Sequence, residues 1–142
     1  MSIFNGLNIN ASGLSLERFK LDTISTNIAN VNTAQTIESD AYRKKTVAFS
    51  ESLKNVQQSN ALTNKQSYGV RIDGIREDDT VNLSYDPTNP AADENGYVEQ
   101  SNVNVADEMI EMIQTLRTYE ANASAVEMNK SMLRKALEIS KE

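Results

Sequence analysis

VADEMIEMIQTLRTYEANASAVEMNKSMLRKALEIS, residues 105–140, decides the fold. Its apolar residues Val105, Met109, Met112, Leu116, Tyr119, Ala123, Val126, Leu133 and Leu137 fall three and four apart. A stripe recurring about every 3.5 residues is a coiled-coil seam, narrower than the buried face of a globular helix. Asn104 is a good N-cap. Asp107, Glu108 and Glu111 suit the positive end of the helix dipole, and Arg134, Lys135 and Lys141 suit the negative end. A helix over this range is about 50 Å long at roughly 1.5 Å per residue. It overhangs any core that the remaining composition can build, so its stripe must meet another surface.

The opposite end repeats the pattern with Ile3, Leu7, Leu14, Leu21, Ile24, Ile28 and Val31, which predicts a helix from Ile3 to Val31. Gly6 and Gly13 weaken it by about 1 kcal/mol each relative to Ala. Asn8, Asn10 and Ser12 compete for local backbone groups. Asn10 and Glu17 stand where the seam asks for apolar residues. Such a helix is marginal alone and depends on a partner. The run Asn30-Val31-Asn32-Thr33 supplies its stop, since Asn tolerates the left-handed C-cap conformation. The two ends can close on each other and on the same seams of neighbouring subunits. Their pairing leaves Ile110, Ile113 and Met128 for neighbours.

The middle of the chain is turn-rich. Residues 34–40 read as a loop, and Tyr42 to Phe49 as a short strand. Ser50 to Ser67 is rich in Ser, Asn and Gln and reads as a flexible loop. Tyr68, Val70 and Ile72 alternate with polar residues and Gly, as do Val81, Leu83 and Tyr85. Glu77-Asp78-Asp79 reads as a hairpin-like connection between those two strands. Asp86-Pro87-Thr88-Asn89-Pro90 is a strong break, because both prolines lack a donor and fix φ. Asn95-Gly96 is a further turn.

The predicted fold is mainly α with a small β-rich insert. Residues 1–35 and 101–142 form paired, coiled-coil-like terminal helices in an inner domain. Residues 36–100 form an outer, β-rich domain with connecting loops. With 142 residues, 39% apolar and 6% aromatic content and no Trp, a large compact core is not expected.

Charge and composition exclude several functions. The net charge of −6 leaves no basic surplus for nucleic acid or anionic lipid. The basic cluster Arg43-Lys44-Lys45 is short and reads as a solvated turn or strand edge. The chain has no Cys and no His, which removes disulfides, thiolate sites and the commonest general base and metal ligand. No cofactor or metal is expected. The carboxylate pairs Asp78-Asp79 and Asp93-Glu94 read as turn residues, and no nucleophile has a partner base, so the chain is not read as an enzyme. Four Asn-x-Ser sites, at Asn10, Asn82, Asn122 and Asn129, read as chance products of an Asn- and Ser-rich chain. No apolar run is long enough for direct membrane insertion. The N-terminus Met-Ser-Ile-Phe-Asn-Gly lacks the pattern of a cleaved secretory signal. A soluble coiled-coil adaptor or secretion chaperone shares the acidic charge and the helices and stands as the alternative class.

At Ile24-Ser25-Thr26-Asn27-Ile28-Ala29-Asn30-Val31-Asn32-Thr33 the chain resembles the N-terminal signature of the flagellar basal-body rod and hook proteins. A second block is similar to the proximal-rod members of that family. It runs through Tyr85 to Pro90, Ala92 to Val98, Asn102 to Val105, Glu108-Met109 and Arg117 to Asn122. The family commonly has Pro where this chain has Ala41 and Ser101. The resemblance implies a structural subunit that leaves by the flagellar type III export apparatus without signal cleavage. It implies helical polymerisation in the proximal rod, a shaft that transmits torque, with the terminal helices as an inner layer around the export channel. The implied partners are other copies, the other proximal-rod proteins, the adaptor joining rod to membrane ring, and the distal rod protein.

The expected assembly interface is the pair of terminal seams. At the N-terminal end it comprises Leu7, Leu14, Leu21, Ile24, Asn27, Ile28, Asn30, Val31 and Asn32. At the C-terminal end it comprises Met109, Met112, Leu116, Tyr119, Asn122, Val126, Leu133 and Leu137. Asn27, Asn30 and Asn32 are too polar for a simple core. They either bond across subunits and fix register, or cap the helix end. The free subunit is expected to hold its ends loosely helical until assembly buries the seams, at about 25 cal/mol per Å² of apolar area.

Overall fold

The computed structural model describes residues 3–55 and 65–139. Along the chain lie α1 (Ile3–Ala29), β1 (Lys45–Asn55), β2 (Lys65–Glu77), β3 (Asn82–Tyr85), β4 (Tyr97–Gln100) and α2 (Val105–Ile139). Two long terminal helices packed together, with small sheets from the middle of the chain, match the predicted class. α1 stops two residues earlier than Val31, because Asn30 turns the chain: its N–H donates to Thr26 O and Asn27 O, and Thr33 N–H donates to Asn30 O. α2 starts where Asn104 caps it, the Asn104 Oδ1 accepting the Ala106 N–H at 3.0 Å. Ser140 and Lys141 of the expected helix end lie outside the described residues.

The chain divides into two compact units, each drawing on both helices. The first holds Met1–Phe19, Ala48–Gly74 and Thr115–Glu142. Here the helices run antiparallel at close range. A Cβ on Gly6 would stand 3.6 Å from Asn129 Nδ2, and one on Gly13 only 2.9 Å from Asn122 Nδ2. The first distance is an ordinary contact, so only Gly13 leaves space that the Asn122 side chain fills. β2 crosses α1 just as closely at Gly69, whose φ is +108°. A Cβ there would fall 2.1 Å from Ser12 Oγ and 3.2 Å from Ile9 Cα. The Ser12 hydroxyl accepts the Val70 N–H at 3.1 Å and donates to Ile9 O at 2.7 Å. Asn5 Nδ2 donates to Ser67 O at 3.4 Å. Among the described residues, Leu16 is the buried apolar residue of α1 in this unit.

The second unit holds Lys20–Val47 and Ile75–Gln114. β3 and β4 pair antiparallel, with Leu83 opposite Glu99, Ser84 opposite Val98 and Tyr85 opposite Tyr97. Alternation sends Val98 inward, 2% exposed, and leaves Leu83, Tyr85 and Tyr97 outward. The Tyr85 and Tyr97 rings meet edge to face with centroids 5.4 Å apart. The connection is a chain of turns. Asp93 Oδ1 accepts the N–H groups of Asn95 and Tyr97, at 2.9 and 2.7 Å, and Gly96 takes φ +83°. The Asp86–Pro90 break holds by Thr88 N–H and Oγ1 donating to Asp86 Oδ1. Ile24, Ala41, Val98 and Val103 are the buried apolar residues here.

Three expectations for the middle are corrected. β2 and β3 are not the two arms of one hairpin: β2 pairs with β1, and β3 with β4. The acidic run carries the chain out of β2, where Asp78 N–H donates to Lys44 O at 2.9 Å, and Asp78 Oδ1 accepts the Thr80 N–H at 3.0 Å. Bonding to Thr80 holds the Asp78 carboxyl below its ordinary value. The polar run from Ser50 is not wholly loop: 50–55 extend β1 and 65–67 open β2, while 56–64 lie outside the described residues. Pairing with β2 holds these polar residues in strand, where composition alone favours a loop. β4 was not foreseen, because it is four residues long and preceded by turn residues.

Candidate assembly interface

Asn27, near the end of α1, is 1% exposed. Its amide makes four hydrogen bonds. Nδ2 donates to Lys45 O at 2.8 Å and to Glu108 Oε2 at 2.9 Å. Oδ1 accepts the Lys45 N–H at 3.0 Å and the Tyr42 hydroxyl at 2.9 Å. An amide has two hydrogens and two lone pairs, so its capacity is filled. Glu108, in the first turn of α2, has a fully buried side chain. Its Oε1 faces Lys44 Nζ at 2.7 Å, its partner among the described residues. Lys44 also lies 3.9 Å from Glu111 Oε2.

The surroundings of this node act on both titrating neighbours. The hydrogen bond to Glu108 raises the Lys44 ammonium above its ordinary value; burial opposes this, and the charges of Glu108, Glu111 and Asp107 reinforce it. Burial raises the Tyr42 phenol, helped by the negative charges of Glu108 and Glu77. Asn102 ties the strand segments behind the node. Its Oδ1 accepts the Lys44 N–H at 2.7 Å, and its Nδ2 donates to Asp78 O, Thr80 O and Thr80 Oγ1 at 2.9–3.1 Å.

The basic cluster, expected as a solvated turn or strand edge, leads into β1, which begins at Lys45, and its charges are paired rather than merely solvated. Arg43 pairs with Asp79 at 3.3 Å, Lys44 with Glu108, and Lys45 with Glu77 at 3.5 Å. Lys45 also lies over the Tyr42 ring, 5.5 Å from its centroid. Glu108 is likewise more than a dipole partner, since its carboxylate turns inward to Asn27 and Lys44.

The seam residues fall into three groups. Ile24 and Asn27 are buried inside the chain. Leu7, Leu14, Leu21, Ile28, Asn30, Val31, Met112, Asn122, Val126 and Leu133 are half-buried. Asn32, Met109, Leu116, Tyr119 and Leu137 are exposed. Asn30 behaves as a cap, donating from Nδ2 to Thr26 O at 2.8 Å and accepting the Thr33 hydroxyl. The buried side of α2 is not purely apolar: Glu108 and Thr115 are buried, and Asn122 and Asn129 are half-buried at the same seven-residue spacing.

What the chain leaves open is the other side of α2. Met109, Ile110, Ile113 and Leu116 expose 43–57% of their surface, and Met128, Met132 and Ile139 expose 53–77%. Residues at 109, 113 and 116 lie on one helical face. Large apolar side chains so concentrated mark an interaction surface. The open groove between Thr33–Glu38 and Asn89–Ala91, about 740 Å³, is of another kind. Glu38 is its one ionisable lining residue, beside the polar side chains of Thr33, Gln35, Thr36 and Asn89.

Residues 7–34 match the family model for flagella basal body rod protein, and 94–139 match that for the flagellar basal body rod FlgEFG protein C-terminal region. The chain is 38% identical to the flagellar basal-body rod protein FlgC of Borreliella burgdorferi, over 98% of both chains. It is 38% identical to FlgC of Bacillus subtilis, over 99% of this chain and 100% of that one. The chain belongs to the FlgC family of flagellar basal-body rod proteins. FlgC of Salmonella typhimurium is 32% identical over 96% of this chain. The FlgC family is structural and not a family of enzymes. In this FlgC-family chain no helix among the described residues is long and apolar enough to cross a membrane. Ala41 is buried, and Ser101 is buried with its Oγ accepting the Val103 N–H at 3.3 Å.

The residues that the sequence reading missed are Tyr42, Lys44, Asn102 and the inward role of Glu108. Their signal is weak, because each polar type in a turn or first helical turn is ordinarily solvated.

Proposed function

We propose that this rod-family chain is a subunit of the proximal rod. Its terminal helices polymerise it into the helical shaft that transmits torque and surrounds the export channel. Residues 1–35 and 101–142 make the inner layer, and 36–100 the outer domain. Its neighbours are further copies, the other proximal-rod proteins, the rod-to-membrane-ring adaptor and the distal rod protein. It reaches the rod through the flagellar export apparatus without a cleaved signal.

The observation that carries this reading is the uncovered apolar side of α2, above all Met109, Ile110 and Ile113. A neighbouring subunit that covers these side chains gains about 1.5–3 kcal/mol for each one fully buried. The wider seam set, from Leu7 to Asn32 and from Met109 to Leu137, is proposed to complete the contact where it remains exposed. Replacing Ile110 and Ile113 by Asp tests the reading. The purified variant is expected to keep the parent's helix content while cells that carry it build no rod and do not swim. Normal swimming by cells whose sole copy is this double variant would overturn it.

A further inference from the structure

Leu7, Leu14 and Leu21 on α1 stand seven residues apart, as do Met112, Tyr119 and Val126 on α2. An apolar seam with a seven-residue repeat packs almost as well after a slip of one heptad, about 10 Å along the axis. The apolar residues therefore do not by themselves choose an alignment. The contacts show which one the chain adopts. Gly6 meets Asn129, Gly13 meets Asn122, and Asn27 meets Glu108. Each step along α1 is matched by an equal step back along α2.

We propose that the buried Asn27–Glu108 pair is a register lock, which selects one alignment of the antiparallel helices from those that the apolar repeat allows. Asn27 is held by Lys45 and Tyr42 on one side, so its remaining N–H can be satisfied only by an acceptor at the level of Glu108. Lys44 is held on the α1 side, because both backbone groups of the adjoining Lys45 are bound by Asn27. Sliding α2 by one heptad in either direction removes the carboxylate from both. One slip carries Glu108 to the level of Lys20, which restores a charge to the carboxylate but leaves the Asn27 amide and Lys44 without it. A buried polar group that loses its partner carries its full desolvation penalty, whereas the apolar side chains lose little on slipping. Single buried polar residues fix register in this way in coiled coils.

The chain has no Cys, so introduced pairs are clean reporters. Gly6→Cys with Asn129→Cys reports the native alignment. Gly6→Cys with Asn122→Cys, and Gly13→Cys with Asn129→Cys, report the two slipped ones. Each pair is oxidised in dilute full-length protein and the intramolecular disulfide is quantified by mass spectrometry. In the parent only the native reporter is expected to close. In an Asn27→Leu, Glu108→Leu background the slipped reporters are expected to rise by about tenfold or more, the change that one orphaned buried polar group corresponds to. If that background keeps its helix content and still closes only the native reporter, the lock is disproved and the strands set the register. Should the leucine pair lose its helix signal, Glu108→Met with Lys44→Met replaces it, because an ion pair changed to apolar residues of similar volume is often tolerated. Slipped disulfides in that background support the lock, and native closure alone overturns it.

Discussion

At the scale of single residues, the polar node decides more than any apolar side chain. Asn27→Ala strips partners from Glu108, Tyr42 and Lys45 together, and about 3 kcal/mol of stability should be lost in urea unfolding. Lys44→Met leaves the Glu108 carboxylate buried and uncompensated. The expected loss is about 2 kcal/mol, below the roughly 3–5 kcal/mol of a fully buried pair, because Lys44 keeps 23% exposure. The two losses should not add, since both act on one network. The node also sets an alkaline limit. Lys44 and Tyr42 are both raised in the folded chain above their ordinary values, 10.5 and 10.0. A group raised on folding contributes its full stability below its ordinary value and loses it as pH rises through the higher folded one. Urea midpoints should therefore hold steady up to about pH 10 and fall beyond it. Lys44→Met should flatten that fall; an equal fall in the variant would count against the ion pair.

At the scale of elements, close backbone approach matters as much as burial. Gly69→Ala must place a Cβ into Ser12 Oγ at a left-handed φ, which should cost about 3 kcal/mol. Ser12→Ala at the same crossing removes the Val70 and Ile9 hydrogen bonds without a clash and should cost about 1 kcal/mol. Thermal unfolding of the two variants checks the order; a larger effect for Ser12→Ala would contradict the geometry. Much at this scale was legible in the sequence. The Asn104 cap, the Asn95-Gly96 turn, the Asp86–Pro90 break and both helices follow from local rules acting within a few residues. Strand pairing was not legible, since period-2 alternation marks Tyr68–Ile72 and Val81–Tyr85 as strands without naming their partners. Nor did the polar side of the α2 seam show itself. Thr115, Asn122 and Asn129 look like helix-surface residues until Gly6 and Gly13 are seen to lie against Asn129 and Asn122. The exposed face was better read, because Ile110, Ile113 and Met128 fall outside the seam and the composition supplies nothing to cover them.

For the whole molecule, the helices serve two sets of contacts. One side of α2 meets α1 in the same chain, and the other carries Met109, Ile110 and Ile113 outward. Assembly at that second side should also firm up α1, whose glycines and asparagines leave it weak alone. Hydrogen exchange across Leu14–Val31 should accordingly slow by orders of magnitude from proven monomer to isolated basal bodies; equal protection in the two would contradict that coupling. Assembly through α2 is tested most directly by where its outward side lies in the rod. Electron cryomicroscopy of the basal body, with this chain's density resolved, measures it. Side chains of a neighbouring subunit are expected to cover Met109, Ile110 and Ile113. A rod in which those three residues face solvent or an empty lumen would contradict assembly through α2.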